Sequence, residues 1–273
     1  QGPKLDLWRA VTDNDFGSRM HTENINWKKA TNNSQLLSLQ YTQLSTTSVK
    51  VSAVFNLAEV NSTFLIEYTV LGDGRISVYN RLGASLTEKA DIPRVGVNLL
   101  IGREFENLTW FGRGPWENYI DRNVSSFVGL YRSNVADQMV PYIRPQENGN
   151  KTGIRWASLT NSNGVGLMVV NLQHEGEGLE MTAMPYTTSD FDARDGYDYG
   201  PVHLEQKNIA HVTPREFVRW NIDFSQRGLG SINSWDAKPV DKYMLMPNRD
   251  YEYQFMFIPV STLEMDELIK MSR

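Results

Sequence analysis

Glu117 and Glu147 stand in closely similar tetrapeptides, Pro115-Trp116-Glu117-Asn118 and Pro145-Gln146-Glu147-Asn148. Glycoside hydrolysis needs two carboxyl groups across the scissile bond, one as acid and one as nucleophile or base. The same residue types in turns have a plainer use, since Glu and Asn side chains there hydrogen-bond nearby backbone and hold loops in shape. Both tetrapeptides lie between Trp110 and Arg155, a stretch crowded with Gly112, Gly114, Pro115, Pro141, Pro145 and Gly149. Glycine opens positive φ, and proline fixes φ while removing a donor. Arg113, Tyr119, Asp121, Arg122, Tyr142 and Arg144 fill the spaces between them. That mixture predicts a rigid, hydrogen-bonded surface rather than a linker, with anchoring as the role of both glutamates.

Other groups that could do chemistry fall short of a motif. Asp13, Asn14 and Asp15 offer oxygen ligands before Phe16-Gly17, but no Glu follows at calcium-loop spacing. A loop closed by side-chain-to-backbone hydrogen bonds is expected there. Asp190 and Asp192, in the stretch 186–200, are followed by Arg194 where a third oxygen ligand is required, which predicts an exposed loop. His21, His174, His203 and His211 form no HxH or HExxH pattern, which disfavours zinc. There is no GxSxG or phosphate loop, and Gly228-Leu229-Gly230 lacks the rest of a dinucleotide fingerprint. Cysteine is absent, so disulfides and thiolate chemistry are excluded.

The elements that must position these residues are strands. Val49, Val51, Ala53, Phe55 and Leu57 recur with period two, as do Phe64, Ile66, Tyr68 and Val70. After Gly72-Asp73-Gly74 the alternation resumes at Ile76 and Val78, which is a hairpin signal. Further strands are predicted near 94–101, 105–111, 153–160, 165–172, 178–183, 216–224, 242–246 and 251–258. Strand follows strand with almost no helical period, so the fold class is all-β, a sandwich or barrel. Ser261 and Glu264 make a capping box, and Leu263, Leu268 and Ile269 predict a short helix near 261–272. The 273 residues include 40% hydrophobic and 22% charged side chains, enough for a sizeable core in a single domain over 1–273. A net charge of −5 without basic runs speaks against nucleic acid or an anionic membrane as partner. No apolar run approaches the ~20 residues of a membrane span.

Taken in order, LWRAVTDNDFG, WFGRGPWENYIDR, YIRPQENGNKTGIRW and GLGSINSW resemble the C-terminal, small-chain domain (domain 5) of bacterial β-galactosidases of glycoside hydrolase family 2. The resemblance covers nearly the whole chain. It implies a large antiparallel supersandwich of the galactose mutarotase-like type, and a domain that completes an active site whose catalytic glutamates lie upstream. It therefore implies no catalytic residue here, with Glu117 and Glu147 structural. The position matching the family's aromatic sugar platform is Trp235, and an indole face suits the C–H patch of a pyranose. The loop after DNDFG, from Asp15 and Gly17 to about Asn26, is expected to border the active-site mouth. Expected partners are a β-galactoside or galactose, the remaining domains, and further copies in a homo-oligomer. No cofactor is expected in this chain, because the family's Mg²⁺ and Na⁺ belong to other domains; cytoplasm and periplasm both stay open as the location. Val11 replaces the family's usual proline, and the family's first strands before LWRA are expected to be missing. Two alternatives stand beside this. One is an independent carbohydrate-binding or aldose-epimerase-like module, testable at His174 with Glu175 or Glu177. The other is a structural oligomer-interface domain.

Overall fold

Alternating apolar side chains on a pleated backbone must bury one face of each strand, and here two antiparallel sheets do so against each other. The structure is a computed structural model describing residues 1–84, 90–173, 178–192, 208–230, 232–233 and 237–261. In chain order the elements are β1 (Lys4–Asp6), three short helices α1 (Asp13–Gly17), α2 (Met20–Glu23) and α3 (Ile25–Asn32), then β2 (Gln35–Ser45), β3 (Ser48–Leu57), β4 (Ser62–Leu71) and β5 (Ile76–Gly83). There follow β6 (Arg94–Gly102), β7 (Asn107–Gly114), β8 (Phe127–Asn134), β9 (Lys151–Ile154), β10 (Trp156–Thr160), β11 (Gly166–Asn171) and β12 (Leu179–Met184). Last come α4 (Thr188–Phe191), β13 (Phe217–Gln226) and β14 (Tyr251–Val260). One sheet has five strands in the order β1-β6-β13-β12-β9, and the other has nine in the order β2-β3-β4-β5-β14-β11-β10-β7-β8. No helix among the described residues is long and apolar enough to cross a membrane.

The all-β expectation holds, and the β4–β5 hairpin turns at Gly72-Asp73-Gly74 with Gly74 at φ 87°. Four expectations need correction. The strand predicted over 153–160 breaks at Arg155, so that β9 joins the five-stranded sheet and β10 the nine-stranded one. The strand predicted near 242–246 is instead a 3₁₀ turn over Asp241–Tyr243. The loop expected around Asp13–Gly17 is a helix, started by a capping box in which Thr12 and Asp15 exchange side-chain and backbone bonds. Part of the exposed loop expected over 186–200 is the capped helix α4, with Asp190 and Asp192 both buried. The C-terminal helix expected near 261–272 lies outside the described residues apart from Ser261.

The core fills the space between the sheets. Val95, Val97, Leu99, Val218, Trp220, Ile222, Leu179 and Met181 from one meet Val78, Leu82, Tyr253 and Phe255 from the other. Register carries the core-facing row of the larger sheet outward: Phe255 pairs Val78, Val78 pairs Tyr68, Tyr68 pairs Val51, and Val51 pairs Tyr41. Along that row burial falls from 0% exposure at Phe255 and Val78 to 82% at Tyr41, with Leu39 in the adjoining row at 63%. The apolar face outruns the smaller sheet and is left uncovered across β2 and β3.

An uncovered apolar face beside an edge strand favours association. The isolated chain should therefore bind a hydrophobic dye in its native state and self-associate in sedimentation. Tyr41→Lys should reduce both while shifting stability by no more than about 0.5 kcal/mol, the usual range for an exposed position. Equal dye binding in the variant would show that this face is not responsible.

Candidate functional site

Arg9 lies just ahead of the capping box and is fully buried. Its Nε and Nη2 donate to the two carboxylate oxygens of Asp15 at 3.1 and 2.8 Å. Its Nη1 donates to the carbonyl of Arg227, and Nη2 also to that of Gly228 at 3.0 Å. Burial alone pushes the Asp15 carboxyl up, but the Arg9 and Arg227 guanidiniums outweigh it and hold the group below the usual carboxylate range. The end of β13 is thereby clamped onto α1. Asn14 Nδ2 adds a bond to Leu229 O at 3.1 Å, and Gly230 N donates to Asp121 Oδ2 at 2.6 Å.

The two similar tetrapeptides use their Asn in the same way. Asn118 Nδ2 donates to Trp116 O at 3.0 Å, and Asn148 Nδ2 donates to Gln146 O at 2.9 Å, each reaching two residues back. Asn118 Oδ1 also accepts from Thr152 N and Oγ1 at 2.9 and 2.6 Å. Glu117 joins the two loops: one oxygen accepts from Tyr142 Oη at 2.5 Å and from Arg122, the other from Gly149 N at 2.7 Å. Asp13 completes the ring through Arg144 at 2.5 Å and Gln146 Nε2 at 3.1 Å. Segments 9–17, 116–122, 142–150 and 227–230, far apart in sequence, thus meet at one end of the sandwich.

Glu147 points elsewhere, into a polar array on the outer face of the five-stranded sheet. Both of its oxygens accept from Arg94 Nη2 at 3.2 Å, and Gln226 Nε2 donates to one at 3.2 Å. Burial pushes the Glu147 carboxyl up, opposed by Arg94 and Arg9. Arg94 Nη1 also donates to Asp6 Oδ2 at 3.3 Å, where Arg219 Nη2 and Asn221 Nδ2 arrive at 2.6 and 2.7 Å. Glu180, Asn150, Ser225 and Asp223 extend the array, and all are buried.

Glu117 and Glu147 are thus both engaged in internal hydrogen bonds and ion pairs, the first between loops and the second beneath them. Of the residues expected at the active-site mouth, Asp15 is held by Arg9 inside the clamp, and Gly17 ends α1. The positions beyond it to Asn26 lie on or between α2 and α3 rather than in an open loop. Trp235 lies outside the described residues, as do His174, Glu175 and Glu177. Before it, the chain is held at Leu229 and Gly230 by Asn14 and Asp121. Trp116, in the stretch expected to be a held surface, is 78% exposed on that loop. Sequence reasoning missed Arg94 and Asp6 as buried ions, because a charge in a strand reads as solvent-facing, and Arg9, which lies between β1 and α1 and is buried only by long-range partners. Among the described residues no group of three or more His, Asp or Glu is placed to hold a metal ion, so these residues do not fit a metal centre.

An antiparallel sandwich that presents an anchored loop platform, with its conspicuous acids locked in ion pairs, is the class defined so far. The sequence profile described as beta galactosidase small chain matches residues 1–257. The chain belongs to that family. It is 32% identical over 259 residues to a β-galactosidase of Priestia megaterium, covering 95% of this chain and 23% of that protein. Against the β-galactosidase of Streptococcus thermophilus it is 30% identical over 270 residues, covering 96% and 24%. The chain thus spans about a quarter of the length of the curated relatives it matches.

Breaking the clamp should be costly. Arg9→Ala leaves Asp15 buried without its partner and should remove about 3–5 kcal/mol of stability in denaturant unfolding. The double variant with Asp15→Ala should recover part of that loss. Strict additivity of the two single changes would show that the pair is not coupled.

Proposed function

We propose that this chain is the C-terminal, site-completing domain of a retaining β-galactosidase of glycoside hydrolase family 2, acting on terminal β-D-galactosides such as lactose. Its architecture is read as the galactose mutarotase-like supersandwich. The observation that carries the proposal is the joint commitment of Glu117 and Glu147 to anchoring in a chain of this family. Two carboxylates held by guanidinium and backbone donors are poor candidates for acid and nucleophile. The catalytic pair, and any Mg²⁺ or Na⁺, would then be supplied by the remaining polypeptide, and assembly of the full protein as a homo-oligomer fits the same reading.

In this proposal Trp235 offers its indole to the galactose ring, as the family motif implies. Stacking on a sugar that is already in its ground-state ring form is uniform binding and acts mainly on KM. A single such surface contributes ~1 kcal/mol, well short of the ~4 kcal/mol that millimolar affinity requires. The chain alone should therefore neither hydrolyse a chromogenic galactoside nor bind galactose measurably. Joined to the rest of its polypeptide, Trp235→Ala should raise KM several-fold with kcat little changed. Turnover by the isolated chain that disappears in Glu117→Gln or Glu147→Gln would overturn the division of labour. An unchanged KM in the joined Trp235→Ala variant would remove Trp235 from the site.

A further inference from the structure

The polar array on the outer face of the five-stranded sheet does not balance its charge through its ion pairs. It contains two guanidiniums, Arg94 and Arg219, and four carboxyl groups, Asp6, Glu147, Glu180 and Asp223, all six in or beside the buried outer face. Asp6 and Glu147 take the guanidinium hydrogen bonds. Glu180 and Asp223, direct cross-strand partners on β12 and β13, are left without a guanidinium hydrogen bond. Neither accepts a hydrogen bond from a cation: the nearest guanidinium nitrogen to Asp223 is Arg94 Nη1 at 3.7 Å, and neither oxygen of Asp223 has a hydrogen-bond partner. Two like charges opposed across a ladder, out of water, cannot both stay ionised.

We propose that Glu180 and Asp223 form a buried proton-holding pair, and that loss of a proton from Glu180 makes the fold sensitive to pH. The contacts of Glu180 suit a neutral acid. Oε2 accepts from Asn150 Nδ2 at 2.8 Å, and Oε1 lies 2.6 Å from Ser225 Oγ. The hydroxyl of Ser225 is also 3.2 Å from the carbonyl of Gln226. A proton on Oε1 can therefore be donated to Ser225 Oγ while Ser225 donates onward to Gln226 O. Removing that proton turns the serine hydroxyl back toward Glu180 and leaves an uncompensated charge beside Asp223. The other charged groups facing Glu180 are Arg94 on β6 and Glu147 in the loop before β9, which largely answer each other. Burial moves the Glu180 carboxyl to about 7, with Ser225, Asn150, the Gln226 backbone N–H and Arg94 pulling the other way, and keeps that of Asp223 well above its ordinary value.

The sign follows from proton counting. Between the unfolded glutamate value and about 7, the folded chain holds a proton that the unfolded chain has lost. The contribution of Glu180 is thus full at acid pH, declines through that window, and levels off above it. The folding equilibrium constant should fall about a hundredfold between pH 5 and pH 8 from this group.

The test is denaturant unfolding of the chain from pH 5 to pH 8.5, with Glu180→Gln beside it. The amide copies the neutral acid, able to donate to Ser225 and accept from Asn150. The variant is expected to decline less steeply than the parent between pH 5 and pH 8, keeping only the share that Asp223 contributes, and to match or exceed the parent above pH 7.5. Parallel profiles for parent and variant would overturn the proposal. Should the variant not fold, carboxyl ¹³C resonances of the parent decide independently. A glutamate titrating near 7 and assigned to residue 180 supports the pair, whereas Glu180 titrating below pH 5.5 overturns it.

Discussion

A guanidinium enclosed by protein must meet donors' demands on every side, and Arg9 is placed where that demand organises the molecule. Its five N–H groups cannot be left dry without partners, so Asp15 and the carbonyls of Arg227 and Gly228 are drawn to one point. Those partners lie more than two hundred residues apart in the chain, and satisfying one side chain brings its two ends into register. Once α1 and the end of β13 are joined, Asn14 reaches Leu229 and Asp13 reaches the 144–146 turn. The neighbouring loop then closes through Glu117, Gly149 and Asp121. Each later contact is ordinary in strength, and its geometry is inherited from the first.

The five-stranded sheet shows a second consequence of burying charge. Its inner face is the usual apolar layer, while its outer face carries Arg94, Arg219, Asn221, Asp223 and Glu180 and is nevertheless dry. Loops roof that face, and Glu147 is the peg that seats one of them on Arg94. A carboxylate used in this way is poorly suited to proton transfer with a substrate, since the ion pair that stabilises it also removes its freedom to change charge. Glu117 and Glu147 share a similar sequence context and differ in what surrounds them in the fold.

What could be read from the sequence follows this difference. Local patterns were legible: the period-two runs that became β3, β4 and β5, and the Gly-Asp-Gly turn between the last two. Turn chemistry also marked the 110–155 loops as held in place, and the family motifs pointed to the end of the sandwich where they meet. Long-range choices were not legible. Nothing near Arg155 announces that the chain changes sheet there, and the short helices from Asp13 to Asn32 owe their form to capping and to packing of Trp27 and Met20 rather than to a long amphipathic period. The alternation of Arg219, Asn221, Asp223 and Ser225 with Val218, Trp220, Ile222 and Phe224 looks like a strand with one wet face. Only the loops folded over it make that face dry. Trp235 rests on the family motif alone.

The order of strands in the two sheets has a kinetic corollary. From β2 to β5 every neighbour in space is the neighbour in sequence, so that meander can form by closing short loops. The five-stranded sheet draws on residues 4–6, 94–102, 151–154, 179–184 and 217–226, and its central pairings cannot begin until most of the chain exists. During synthesis the meander would be emerging early and half-clad, waiting for partners made more than a hundred residues later. Folding of this chain is thus paced by its most distant contacts, and the interval before they form is when its apolar strands are most exposed to the wrong company.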